Sequence, residues 1–431
     1  MLEDAHIMQL SQGFSRLSRA ERFRRLEALG VLTAEDIAFL EEGGVRRTDL
    51  AENLIENVIG YFQLPLGVAT HFRIDGRDYV IPLAVEETSI IAALSKTAKW
   101  IKHQGEITTW VSGECIIGQI QLAQVRDFAK FTQIIMANKQ FLIEKVNEDV
   151  AANMVKRGGG VRDLTVRELQ DAHNNTMAVI HITMNSCEAM GANILNQVLE
   201  YLKSPIEKLT HEKVSMCILS NLNDTKITHA RVVIDDVPKD LGTRIEHASL
   251  FAEADAYRAA THNKGVMNGI DPVLIATGND WRAVEAAVHS YATRHGRYSA
   301  ISTWRYQDKQ LIGQFSAPVV VGIVGGVTAL HPTAKMCLRM LKVTSANHLS
   351  RIIAAVGLVQ NLGALKALCT EGIIQGHMKL HIDNLLLSAG ATGAEVSALK
   401  PELEALLAHH KRLSLADVTT KLAHTRQRAV K

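Results

Sequence analysis

At 431 residues, 47% hydrophobic and 21% charged, the chain has the material for two or three cores and no signature of disorder. A formal net charge of +2 is too near neutral for a protein that lives on nucleic acid or on a membrane surface.

The opening MLEDAHIMQL lacks the basic and apolar regions of a signal peptide, and no apolar run approaches the roughly 18 residues needed to span a bilayer. A cytoplasmic protein is expected. Thr33-Ala34-Glu35-Asp36 reads as a helix start and Gly43-Gly44 as its stop. Thr70–Ile74 and Arg77–Leu83 flank Asp75-Gly76, the strongest short signal for a type I′ hairpin. The second strand runs into Val85-Glu86-Glu87-Thr88-Ser89, and Ile90, Leu94, Ala98 and Ile101 then repeat with helical spacing. Two carboxylates thus sit at a strand-to-helix turn, where side chains can project into a cleft; stabilising the first turn of the helix is their plainer role.

From 112 to 222 the pattern predicts a strand at Cys115–Val125, a long helix from Phe128 towards Ala152, and strands at Val161–Leu169 and Met177–Asn185. A helix from Ala189 to Lys203 and a strand at Val214–Ser220 complete the order βαββαβ. That is the split βαβ arrangement of ferredoxin-like modules, inserted here into a larger domain. An RNA-binding module of this type needs aromatics on its central strands, and these strands have none. A hairpin region follows at Ser299–Val324, then Gly325-Gly326, then an apolar helical stretch at Ser345–Thr370. The tail from about 376 is helical, with a break at Gly390–Gly393. The fold class is α+β: a mixed domain from 1–111 and 223–375, the insert at 112–222, and a helical flap at 376–431.

Arg258–Gly269 packs Arg258, His262, Asn263, Lys264 and Asn268 among small residues. It reads as a polar loop, with Arg258 suited to a carboxylate. Lys264 is either an oxyanion stabiliser or a Schiff-base nucleophile. Asp280, at a helix start, is either an N-cap or a partner that tunes a lysine. His377 and His381 stand i, i+4 without accompanying carboxylates, so an acid is a better reading than a metal site. The five cysteines stand singly, with no C-x-x-C pair. No metal is expected. Glu188–Asn193 and Val321–Thr328 are glycine-containing turns, but neither is G-x-G-x-x-G, so an ordinary Rossmann site is not supported.

In this order, the segments Glu56–Gly60, Val85–Ser89, Glu188–Asn193, Arg258–Pro272, Thr277–Arg282, Val321–Thr328 and Gly376-His377-Met378 resemble the soluble class II form of 3-hydroxy-3-methylglutaryl-CoA reductase. The likeness runs from about residue 45 to 390. It implies an oxidoreductase that takes hydroxymethylglutaryl-CoA through two reductions, reversibly, to mevalonate and CoA, using two NADPH or NADH. By that resemblance Glu87 donates a proton to the substrate oxygen, Lys264 stabilises the oxyanion, Asp280 joins the lysine's network, and His377 protonates the departing thiolate. Asn268 orients Lys264; Ser89 and Arg258, with Asn361 a further candidate, hold the substrate carboxylate. Glu56–Gly60 matches a segment used at an active site shared across a homodimer. The insert takes the nicotinamide cofactor at Glu188, Met190, Gly191 and Asn193, beside Gly325 and Gly326. Two departures touch the cofactor side: Glu188 where Asp is usual, and Val327 where a small residue is usual. The segment 137–141 lacks the acid that NADH-preferring relatives use, and Lys139, Lys156 and Arg157 lie near it, which leans towards NADPH. A lysine Schiff-base lyase is the competing enzyme reading, separable by borohydride trapping.

Overall fold

The computed structural model describes residues 13–370, 382–410 and 413–429. It begins with two helices, α1 (Arg19–Ala28) and α2 (Ala34–Glu41), and a short α3 (Asp49–Glu52). Thr33 and Asp36 cap α2 reciprocally, each side chain taking the other's backbone N–H at 3.1 Å. Strands β1 (Leu66–Ile74) and β2 (Arg77–Ala84) are joined by Asp75 (φ 49°) and Gly76 (φ 77°); positive φ at both positions is the type I′ geometry read from Asp-Gly. Helix α4 (Ile90–Gln104) follows and buries Ile90, Leu94, Ala98 and Ile101, the stripe that its spacing predicts.

Strand β3 (Gly105–Ser112) leads into the inserted unit: β4 (Ile116–Leu122), α5 (Phe128–Ala137), α6 (Lys139–Asp149), α7 (Ala152–Val155), β5 (Gly160–Gln170), β6 (Thr176–Asn185), α8 (Ala192–Thr210) and β7 (Met216–Leu219). Its sheet has the order β5-β6-β4-β7, all neighbours antiparallel. That is the 4-1-3-2 strand order of a split βαβ. The expected long helix from Phe128 is three shorter ones: Asn138 (φ −104°, ψ 7°) leaves helical geometry and bonds its side chain back to Ile134 O at 2.8 Å, and Ala151 (φ −98°, ψ 13°) makes the second break. Helix α8 starts three residues later than expected and runs on to Thr210 through Pro205.

The chain returns through β8 (Ile227–Ile234), then α9 (Lys239–Ala254), α10 (Ala256–Ala276), α11 (Trp281–Tyr291), β9 (Ser302–Gln307), β10 (Gln310–Ala317), α12 (Gly326–Leu330), α13 (Pro332–Leu341) and α14 (Ala346–Cys369). Strands β3, β8, β10 and β9 form one antiparallel sheet. Helix α14 lies at the centre of this core, with Ile352 to Leu358 and Leu362 all buried. Against the expectation that no apolar segment could span a bilayer, α14 is long and apolar enough to do so by length and composition; 67% of its most apolar stretch is buried inside the protein. The insert has a separate core, centred on Ile120, Ile180, Ile182 and Leu199. A third small core joins the end helices α15 (Gly393–His410) and α16 (Leu415–Ala429) through Leu403, Leu407 and Val418.

Candidate active site

Arg258–Gly269 is not a loop: it is the first half of α10, capped by Asp255, whose carboxylate accepts from Arg258 N at 2.8 Å. One face of that half is buried. His262 Nε2 meets Ser302 Oγ at 2.7 Å, and Asn263 takes Ile301 N at 3.0 Å while donating to Ser299 O at 2.9 Å. These two side chains pin the helix to the segment 299–302 that leads into β9 and so fix which residues face outward. Burial pushes the His262 imidazole down to about 4, with the Arg258 charge adding to the effect, so it stays neutral in the core.

Lys264 is the outward residue. Its Nζ lies 3.1 Å from Glu87 Oε2, with the two side chains 60% and 37% exposed. The turn after β2 delivers Glu87; Glu86, its neighbour, is exposed. Ser89 holds the left-handed conformation (φ 75°) where α4 begins, a strained geometry for a residue with a Cβ. Glu87 and Ser89 share one wall of a cavity of about 1550 Å³. Asn268 stands one turn beyond Lys264 on α10. Arg258 is half-buried, and its guanidinium has no hydrogen-bond partner among the described residues; burial lowers its pKa.

Two expected placements differ. Asp280 does not touch Lys264. It caps α11 by accepting from Ala283 N at 3.1 Å and lies 3.6 Å from Arg282 Nε. Asn361 is 1% exposed, and its Oδ1 accepts from Trp304 Nε1 at 2.8 Å and Ser302 Oγ at 3.1 Å. Its amide oxygen is thus engaged inside the core. Glu56 is exposed, beside the exposed Ile55 and Ile59, and shares no hydrogen bond or ion pair with the Lys264 group. His377 and His381 lie outside the described residues.

On the insert, Gly191 (φ 95°) starts α8 with no side-chain cap, leaving the first N–H groups free for an anionic group. Asn193 is exposed in that first turn. Gly325 (φ 78°) and Gly326 (φ 55°) form an open turn; a Cβ on either would meet nothing within 4 Å. The carboxylate of Glu188 accepts from Ala346 N at 2.5 Å, so the longer acid caps α14. Met190 packs its backbone against Gly322. Lys139 is engaged by Asp163 in an ion pair, which leaves Lys156 and Arg157 as the exposed cations there.

The sequence passed over one feature. Arg16, Arg19, Arg22, Lys96 and Lys99 line the cavity that Glu87 and Ser89 border. Spacings of three on α1 and α4 were the available signal, but exposed basic residues on helices ordinarily mark a solvated face.

The family model for hydroxymethylglutaryl-coenzyme A reductase matches residues 19–382. The chain belongs to that family. The 3-hydroxy-3-methylglutaryl-coenzyme A reductase of Archaeoglobus fulgidus is 43% identical over 390 residues, covering 89% of this chain and 88% of that one. A solved 3-hydroxy-3-methylglutaryl-coenzyme A reductase of Streptococcus pneumoniae has a TM-score of 0.82 at 39% identity, covering 96% of this chain and 99% of its own. A class II structure from the same organism, described as bound to NADPH in open conformations, has a TM-score of 0.81 at 39% identity, covering 84% and 100%. The mixed α+β fold is that of these reductases, and the protein is an oxidoreductase of this family.

Proposed function

We propose that the chain reduces hydroxymethylglutaryl-CoA, reversibly, to mevalonate and free CoA in two hydride steps, and that NADPH is the preferred reductant. The observation that carries this reading is Lys264 against Glu87 at 3.1 Å at the edge of a large, cation-lined cavity. That pairing sets a charge stabiliser beside a proton source. When bound, the nicotinamide supplies the hydride. Negative charge then builds on the thioester oxygen, and the Lys264 ammonium stabilises it. Collapse of that oxyanion expels CoA as a thiolate, which His377 protonates. A second reduction of the freed aldehyde takes its oxygen proton from Glu87. Asp280 supports the electrostatics from the start of α11. Lys264 sits in an open, polar setting rather than a desolvated apolar pocket, which favours the oxyanion role over Schiff-base chemistry.

Ser89, Arg258 and Asn268 suit the substrate's carboxylate and carbonyl ends, Arg258 as a guanidinium that waits for an anion. The cations of the cavity suit the phosphates of CoA. The nicotinamide cofactor belongs with the start of α8, at Met190, Gly191 and Asn193 beside Gly325 and Gly326. The exposed Lys156 and Arg157 there favour a 2′-phosphate. Ile55, Ile59 and Phe62 are exposed at 62%, 103% and 92%; an apolar group of that kind beside Glu56 supports a homodimer with a shared site. The proposed setting is the cytoplasm, with α14 in the core rather than a bilayer.

A spectrophotometric assay of hydroxymethylglutaryl-CoA with NADPH and with NADH tests the reading. Oxidation of both cofactors with a lower KM for NADPH is expected. No oxidation of either with this substrate overturns it.

A further inference from the structure

The candidate cofactor motif and the candidate acid–base group lie on separate units of the chain, and a short series of hydrogen bonds joins them. Asn279 immediately precedes Asp280 in the turn between α10 and α11. Its Nδ2 donates to Thr277 Oγ1 at 3.1 Å, and its Oδ1 accepts from Gly322 N at 2.8 Å. Thr277 is fully buried, and its hydroxyl donates to Val273 O at 2.8 Å in the last turn of α10. The amide of Asn279 is therefore oriented from the helix that carries Lys264: with Nδ2 committed to Thr277, Oδ1 has to face Gly322.

Gly322 passes that constraint to the insert. A Cβ at this position would lie 2.6 Å from the backbone nitrogen of Met190, so backbone packs directly on backbone. The next residue, Ile323, donates its N–H to Glu188 O at 3.0 Å. Asn279 thus sets the height of the Gly322–Ile323 turn, and the turn sets Glu188 and Met190.

We propose that Asn279 is a positioning residue for hydride transfer, holding the Glu188–Asn193 motif in register with the Lys264 side of the cleft. The proposal rests on the functional reading above. Hydride transfer needs donor and acceptor carbons roughly 3–3.5 Å apart and aligned, and a displacement of about 1 Å can cost on the order of 10²-fold in rate. A side chain that spans both units and presents a donor and an acceptor in fixed directions supplies that precision without touching the reactants.

Steady-state kinetics with hydroxymethylglutaryl-CoA and NADPH test it. Asn279→Ala removes both bonds; it is expected to raise the KM for NADPH roughly 10-fold and lower kcat by a similar factor, with the KM for the thioester within about two-fold. Asn279→Asp retains the acceptor for Gly322 N–H and should stay within about three-fold of the parent enzyme. Gly322→Ala, which drives a methyl group into Met190, should reproduce the NADPH effect, and it carries the test alone if Asn279→Ala does not fold. Equal changes in both KM values, or no change in an alanine variant that melts like the parent, would overturn the proposal. An unmodified enzyme that oxidises no cofactor would instead overturn the functional reading.

Discussion

Lys264 and Glu87 are 177 residues apart in the chain and 3.1 Å apart in space. Helix α10 and the turn after β2 are delivered to each other by packing that involves neither side chain. Because both are substantially exposed, their ion pair contributes little to stability, and its value lies in what it can do to a substrate oxygen.

Lys264→Ala should therefore lower kcat by at least about 10²–10³-fold, the loss typical of one oxyanion-stabilising donor. The melting temperature should stay close to that of the parent. Glu87→Gln should fall similarly, and the double variant should be little worse than either single one, because the two groups act as a unit. Strictly additive losses would separate their roles.

His377→Gln should damage reduction of the thioester more than reduction of free mevaldehyde, since only the thioester releases a thiolate that needs a proton. Equal losses on the two substrates would remove thiolate protonation from its role.

Lys96→Ala and Lys99→Ala should raise the KM for hydroxymethylglutaryl-CoA by roughly three- to ten-fold at low salt and less at high salt, as expected for screened contacts with phosphates. The KM for the nicotinamide cofactor should not move. A change in that constant instead would place the cavity on the cofactor side.

Burial, reinforced by the neighbouring Glu285 carboxyl, pushes the Asp271 carboxyl from 3.8 up to about 8. The folded protein thus keeps a proton that the unfolded chain gives up at lower pH. The associated stability is fully present below about pH 4 and is lost as pH rises towards 8. Asp271→Asn cannot ionise. It should melt near the parent at pH 4 and gain on it progressively up to pH 8. Parallel melting curves across that range would show that the carboxyl is not held protonated.

Legibility in the sequence followed the range of the interactions involved. The Asp75-Gly76 hairpin, the Thr33–Asp36 capping box and the stripe of α4 are all decided within one turn or one helix, and each formed where the residues placed it. Glu87 rather than Glu86 also faces the lysine, as the family motif implies. Arg258–Gly269 was hidden because polar residues on its inner face mimic a solvated loop. Their partners, Ser302 for His262 and Ser299 and Ile301 for Asn263, stand nearly 40 residues further on. The engagement of the Asn361 amide oxygen by Trp304 and Ser302 is likewise invisible from its own helix. The basic lining of the cavity needed α1 and α4 brought together, which no local pattern records.

The pairing of Ser112 with Ile227 has a bearing on how the molecule assembles. The residues on either side of the insert are hydrogen-bonded partners on adjacent strands, so the inserted unit begins and ends at nearly one point. If the insert folds first on its own core, it brings β3 and β8 together and removes most of the entropy cost of closing so long a loop. For the rest of the chain, β3 and β8 then behave as a hairpin with a ready-made connection, and a pairing that is remote in sequence becomes kinetically local.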